Sequence, residues 1–371
     1  MSTHSSIPLL HLRDATLVTS IGDDLLTTLA AFSSQRKRFR HIDVEGGKVA
    51  MAPARDIAGA SRGDARLLAL LQAAWQPMVE RLSKLPARPT TLLLALPSWA
   101  TGTTRAEEAQ PPRLLDHIHE VVNADLTPLT NGQLDVQPIF GGAETSHAAL
   151  AQVFRWLVHA ALPESQRFML LAADTLCDVE ILLRDHRQRV VLEPGQPGHW
   201  IPGEAAACLV LEPVAQLRDV PMGEFALHAP ALDTPASTPR WPSLRQGDGA
   251  VLHRAFKKAL SSARLRARHI GHHVSDGDGS IWRIEDEMAA TQRLPAGPDD
   301  EWTATPLLPA DLLGQLGAAT GAVGWALASG LHQLDLLRLN AALCSAHDFS
   351  GRCAANVIER SPNMTRAEPH A

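Results

Sequence analysis

An α/β fold is the class this sequence predicts, and three observations carry the expectation. Continuous apolar runs of strand length recur at 90–96 (TTLLLAL) and 168–173 (FMLLAA), as in strands buried on both faces. Longer stretches between them carry apolar residues at helical spacing. The two kinds of segment alternate along the chain, the order expected where helices cover a sheet.

Taken in order, 25–32 reads as a helix. A longer one at 65–85 has Leu67, Leu68, Leu71, Trp75, Met78 and Val79 on one side. Pro77 is expected to kink or divide it, because proline lacks an N–H and its ring crowds the preceding turn. After the run at 90–96, closed by Pro97-Ser98, come a helix at 114–122, a strand at 134–140 and a helix at 146–161. The second buried strand, 168–173, is followed by Asp174. Residues 212–249 are rich in proline around one short strand at 225–227, and the division between two halves, 1–215 and 216–371, is placed there. Beyond it lie a basic helix at 251–266, a strand at 269–274, an acidic loop and helix at 276–293, and a small-residue helix. Residues 340–345 and 353–358 flank Asp348-Phe349-Ser350-Gly351, a turn sequence that makes the pair a β-hairpin.

At 371 residues the chain suits one large domain or two packed halves, and its 45% apolar content argues against extended disorder. The balance of 34 basic against 40 acidic residues argues against a nucleic-acid partner. The N-terminal residues read as no signal peptide, and the most apolar stretch, 316–331, is too short for a bilayer and reads as a buried helix, so no membrane span is expected. Cys177, Cys208, Cys344 and Cys353 are widely spaced and lack paired CxxC spacing, which fits a reduced, cytoplasmic setting. Cys344 and Cys353 are placed to face each other across the hairpin. Among His269, His272, His273, Asp276 and Asp278, a polar turn is the favoured reading over a metal site, and no metal or cofactor is expected.

Three segments together carry a family resemblance. Trp200-Ile201-Pro202-Gly203-Glu204-Ala205-Ala206-Ala207 resembles the glycine-glutamate turn and following strand of β-ketoacyl synthases, of the thiolase superfamily. Ser275-Asp276-Gly277-Asp278-Gly279-Ser280, with Glu287 downstream, is similar in shape to that family's first histidine loop. Leu313-Gly314-Gln315-Leu316-Gly317-Ala318 resembles its second histidine loop, and the closing hairpin resembles its C-terminus. The resemblance implies a thiolase-like fold: two pseudo-duplicated halves in a layered α/β/α/β/α sandwich, assembled as a homodimer or heterodimer. It also implies a nucleophilic cysteine at a helix start and two histidines from the second half.

None of those three groups is present. The helix that should open on the nucleophile reads Gly141-Gly142-Ala143-Glu144-Thr145-Ser146-His147, which puts Ser146 at the position, with Thr145 nearly as well placed. Asp276 and Gln315 occupy the two histidine positions. A serine needs a base to ionise it, and Asp276 would put negative charge where negative charge develops, so Claisen condensation is not expected. Assistance to Ser146 from His147 is awkward, since neighbouring helix residues point about 100° apart. Capping or packing is the simpler role for Ser146 and Thr145. Thr145, Gly203, Glu204, Gly277, Gly279 and Gly317 are the residues expected around any retained ligand.

The expected function is therefore that of a catalytically degenerate scaffold or adaptor. One form is a partner subunit of an acyl-condensing enzyme, and the other is a secretion-associated accessory factor of the type VI kind. The enzyme alternative is an acyltransferase forming an acyl-enzyme at Ser146 from acyl-CoA or acyl carrier protein. A protein partner is expected in either case.

Overall fold

The computed structural model describes residues 8–44, 47–54, 57, 63–101, 113–130, 134–160, 162, 165–178, 200–236, 249–297, 299–338 and 340–362. Its frame is one connected mixed sheet. The first five strands in space are β5 (Leu134–Gly141), β4 (Thr90–Pro97), β6 (Arg167–Thr175), β7 (Glu204–Val214) and β1 (Leu9–Thr19). The ladder continues through β8 (Phe225–Leu227), β13 (Cys353–Arg360), β12 (Ala341–His347), β10 (His272–Val274) and β11 (Thr305–Leu307), with β9 (Ala231–Asp233) beside β13. A separate hairpin joins β2 (Arg40–Val44) to β3 (Gly47–Met51).

The two sets of five have the same topology. In each, the second strand in sequence lies parallel between the third and the fourth. The fourth then pairs antiparallel with the fifth, and the fifth with the first. The sets meet where β1 pairs antiparallel with β8. This repeated order is the pseudo-duplication in physical form.

The helices supply the layers. On one outer face α2 (Gly63–Leu82) packs on β1, β6 and β7, with α3 (Arg113–Leu126) against it. Between the two sets of strands lie α4 (Thr145–His159), which touches β4 and β6 on one side and β13 on the other, and α8 (Thr320–Gln333), which touches β7 and β12. On the second outer face α5 (Ala250–Ala263) packs on β12, β13 and α6 (Ile281–Gln292). The one-turn helix α7 (Ala310–Leu313) precedes α8, and α1 (Leu25–Ser33) lies against α8.

Strand alternation shows why the apolar runs are continuous. In β6, Phe168, Leu170 and Ala172 enter the central core, while Met169, Leu171 and Ala173 enter the core beneath α2. In β7, Ala205, Ala207 and Leu209 face inward while Ala206, Cys208 and Val210 face α2. A strand with a core on each side has no polar face to show. Helix α8 is buried from Gly321 to Leu331 because its glycines and alanines let both sets of strands approach, and Leu29 of α1 rests on Gly330.

Four expectations are corrected. Of the kink or division expected at Pro77, the division does not occur, since α2 is one helix from Gly63 to Leu82. The strand at 269–274 is only His272–Val274, after a 3-10 turn at Ala267–His269. β1 is a full strand of 11 residues where the sequence reading placed no element, because a bulge between Leu12 and Asp14 breaks its alternation. Cys344 and Cys353 do not face each other: Cys344 pairs with Asn356 and points into the central core, whereas Cys353 pairs with His347 and points into the core under α5. All four cysteines are free thiols.

Candidate functional site

The segments singled out in the sequence converge beside the central helices. The first junction is made by two glycine turns. Gly203 N–H donates to the Gln315 carbonyl at 2.8 Å, and Gln315 N–H donates to the Ile201 carbonyl at 2.7 Å. A Cβ at Gly203 would stand 2.8 Å from the Gln315 oxygen and nearer still to that of Leu313. Gly314 has φ +72°, and a Cβ there would stand 2.8 Å from the Ile201 oxygen. Backbone approaching backbone at this range leaves no room for a side chain.

Glu204 ties this junction to the outer layer. Its carboxylate accepts from Thr175 Oγ1 at 2.6 Å and Ala54 N–H at 3.0 Å, and pairs with Arg66 at 2.7 Å. Gly317, at φ +48°, leaves room for Asp174, which accepts from Ala318 N–H at 2.8 Å. Burial pushes the Asp174 carboxyl up to about 7.

Helix α4 starts alongside. Thr145 Oγ1 donates to the Gly142 carbonyl at 2.7 Å, and buried Ser146 Oγ donates to the Ala318 carbonyl at 2.6 Å. His147 points elsewhere, edge-on to Trp325 with ring centroids 5.0 Å apart. Neither of its ring nitrogens reaches hydrogen-bond geometry, although the Cys344 carbonyl and the Asn356 side chain lie close enough to favour its cation somewhat. Burial dominates and lowers its pKa to about 4, so the imidazole is neutral near pH 7. Gly321 faces both residues, and a Cβ there would stand 2.9 Å from each.

Asp276 and Gln315 belong to one buried polar network. Arg283, 1% exposed, forms an ion pair of 2.5 Å with Asp276 and lies 3.5 Å from Asp278. Its guanidinium is held over Trp282 at 4.9 Å and Phe349 at 5.1 Å. Burial opposes its charge, but Asp276 and Asp278 more than offset that and keep it cationic. The second Asp276 contact comes from His347 N–H at 2.7 Å. Gln315 Nε2 donates to the Asp276 carbonyl at 2.7 Å and to Asp278 at 3.1 Å. Gly277 N–H donates to Ser275 Oγ at 2.9 Å, and that hydroxyl donates to Glu287, whose carboxyl is pushed up to about 8 by burial. Gly279 turns the loop at φ +83°.

His147, Asp276, Gln315, Thr320, Cys344 and Ser345 border a cavity of about 20 Å³. That holds a single water and no acyl chain. The structure thus joins Asp276 and Gln315, brings His147 to their cavity, and turns the Ser146 hydroxyl to Ala318. Arg283 was not among the sequence candidates. Its signal was present as the lone cation between Asp276 and Glu287 in an acidic stretch. Among the described residues no group of three or more His, Cys, Asp or Glu is placed to hold a metal ion. His273 instead contacts Ser345 Oγ at 2.9 Å.

Layers, strand order and the paired glycine turns define a ketosynthase-like thiolase fold. No family model and no curated protein matches the sequence. Among solved structures, the ketosynthase from module 6 of the bacillaene synthase from Bacillus subtilis 168 is similar at TM-score 0.71 and 12% identity, over 96% of this chain and 72% of that one. A ketosynthase (ApeO) in complex with its chain length factor (ApeC) from Xenorhabdus doucetiae gives 0.69 and 14%, over 97% and 100%. A type II polyketide synthase complex, acyl carrier protein with its ketosynthase bound to the hexaketide, gives 0.69 and 13%, over 95% and 99%. No described helix is long and apolar enough to cross a membrane.

Proposed function

We propose that this chain is a ketosynthase-like protein without condensing chemistry that acts as a non-catalytic partner or adaptor subunit. The observation that carries the reading is the commitment of each candidate group to structure. Asp276 is held by Arg283 and His347 N–H, Gln315 by Asp276 and Asp278, and the Ser146 hydroxyl by Ala318. In this reading Ser146, Asp276 and Gln315 stand at the nucleophile and two histidine positions of active ketosynthases, and the halves divide at 215/216. A neutral His147 aimed away from Ser146 supplies no base for it. The cavity of about 20 Å³ has no room for a growing acyl chain.

The similar solved structures include a ketosynthase with its chain length factor and one with an acyl carrier protein. They support a protein partner, with an acyl carrier protein or acyl-CoA as the ligand to test. A homodimer or heterodimer in the cytoplasm fits this role. Of its two forms, partner subunit and secretion-associated adaptor of the type VI kind, the adaptor is favoured slightly because all three catalytic positions differ.

Intact-protein mass spectrometry after incubation with acyl-CoA and acyl-carrier-protein thioesters tests the reading. The expected result is no adduct across the panel. A stoichiometric acyl mass that disappears in Ser146→Ala would overturn it and make the chain a serine acyltransferase.

A further inference from the structure

Helix α6 is amphipathic in the wrong sense for its position. Arg283, Asp286, Glu287 and Ala290 recur at helical spacing on its inner side, where Arg283 and Ala290 are buried and the carboxylates are largely covered. On the opposite side Ile281, Ile284 and Met288, at i, i+3 and i+7, are 57%, 46% and 55% exposed. A surface helix ordinarily turns its apolar stripe inward. Here the inner side is claimed by the network around Asp276, so the apolar stripe faces solvent. Contiguous apolar exposure of this kind marks an interaction surface.

The helix packed against it supplies the charge. Residues 250–268 contain Arg254, Lys257, Lys258, Arg264, Arg266 and Arg268 and no acidic residue, in a chain of net charge -6. All six are exposed. Arg254, Lys257, Lys258, Ser261, Ser262 and Arg264 line an open groove of about 540 Å³ on α5. Asp233 pairs with Arg254 at 3.1 Å and Lys258 at 2.9 Å and leaves the groove positive. The two helices are fastened together by Gly249 N–H donating to Asp286 at 2.9 Å and by His253 against the Ala290 carbonyl at 3.2 Å. Apolar stripe and basic groove therefore belong to one outer layer.

We propose that this layer docks an acidic amphipathic helix of a partner protein. The apolar side of that helix covers Ile281, Ile284 and Met288, and its carboxylates face Lys257 and Arg264. Charge complementarity selects the acidic partner over a basic one, and a helix of about 20 residues is about 30 Å long. The inference rests on the adaptor reading for its biological use, but the surface is tested without it.

The probes are two 20-residue helical peptides with one apolar stripe, flanked in one by glutamates and in the other by lysines. Fluorescence anisotropy with the full chain reads their binding at low and at physiological salt. The glutamate peptide is expected to bind roughly tenfold or more tightly than the lysine peptide, with the preference shrinking as salt rises. Lys257→Glu with Arg264→Glu should invert that preference. Ile284→Asp with Met288→Asp should abolish binding of both peptides, with far-ultraviolet circular dichroism unchanged. Equal binding of the two peptides, binding of neither, or binding indifferent to both pairs of substitutions would overturn the proposal. So would tighter binding of a 20-base-pair DNA duplex that is lost in Lys257→Glu, since that result assigns the groove to phosphates. An acyl adduct at Ser146 would defeat the non-catalytic reading and leave this surface untouched.

Discussion

Replacing Arg283 by methionine tests the central structural claim directly. The substitution keeps the length and apolar stem of the side chain but removes the cation that faces Asp276 at 2.5 Å and Asp278 at 3.5 Å. Both carboxylates are nearly inaccessible, at 3% and 2% side-chain exposure, so water cannot replace the guanidinium. Breaking a buried pair from one side costs about 3–5 kcal/mol. With about 2.1 cal/mol/K of unfolding entropy per residue, 371 residues give about 0.8 kcal/mol/K, and the loss corresponds to roughly 4–6 °C in Tm. Differential scanning fluorimetry near pH 7 reads this shift. Arg283→Met combined with Asp276→Asn and Asp278→Asn should recover much of it, because fewer buried charges are then left without partners. A single variant within about 1 °C of the parent, or a triple variant no better than the single, would refute the buried-network argument.

If Asp276 and Gln315 stand at the two histidine positions, as proposed, the same network makes installing histidines there unproductive. Ser146→Cys, Asp276→His and Gln315→His together are expected to melt several degrees lower and to show no condensation by product mass spectrometry, because Arg283 then faces imidazole in place of its carboxylate. Ser146→Ala should cost only about 1 kcal/mol in thermal or denaturant unfolding, through the lost hydrogen bond to Ala318. Gly203→Ala, whose Cβ would press on two backbone carbonyls, should strongly reduce the soluble yield. Stability against pH should be dome-shaped, because the buried imidazoles of His147, His273 and His347 together lose more on acidification below pH 6.5 than the carboxyls of Glu287 and Asp174 gain there. His147 has a folded pKa of about 4 against an ordinary 6.5, so its contribution of about 3 kcal/mol is present above pH 6.5 and is lost as pH falls toward 4. Glu287, at about 8 against 4.5, and Asp174, at about 7 against 3.8, contribute at low pH and lose that contribution as pH rises through those intervals. Thermal melts from pH 4 to 9 should therefore show a flatter acid limb in His147→Gln and a flatter alkaline limb in Glu287→Gln. Unchanged limbs would refute the burial assigned to these groups.

The sequence by itself determined the class of fold and much of its order. The runs at 90–96 and 168–173 could only be strands with a core on both sides, since neither has a polar face to give to water. The glycines at 203, 314 and 317 were legible as a family pattern because their constraint is local: backbone meets backbone, or a left-handed φ is required. Local pattern failed where pairing overrode it. β1 carries His11, Arg13 and Asp14 in mid-strand and was not legible as a strand, yet β7 on one side and β8 on the other hold it in the sheet. Only tertiary structure decided what Asp276 and Gln315 do. Their partners, Arg283, His347 and Asp278, arrive from a helix, a strand end and a loop, and the spacing along the chain does not show which of these groups pair. The same is true of α6. It was legible as an acidic helix, but only the fold turned Ile281, Ile284 and Met288 outward, because burying Arg283 against two carboxylates fixed the helix's rotation.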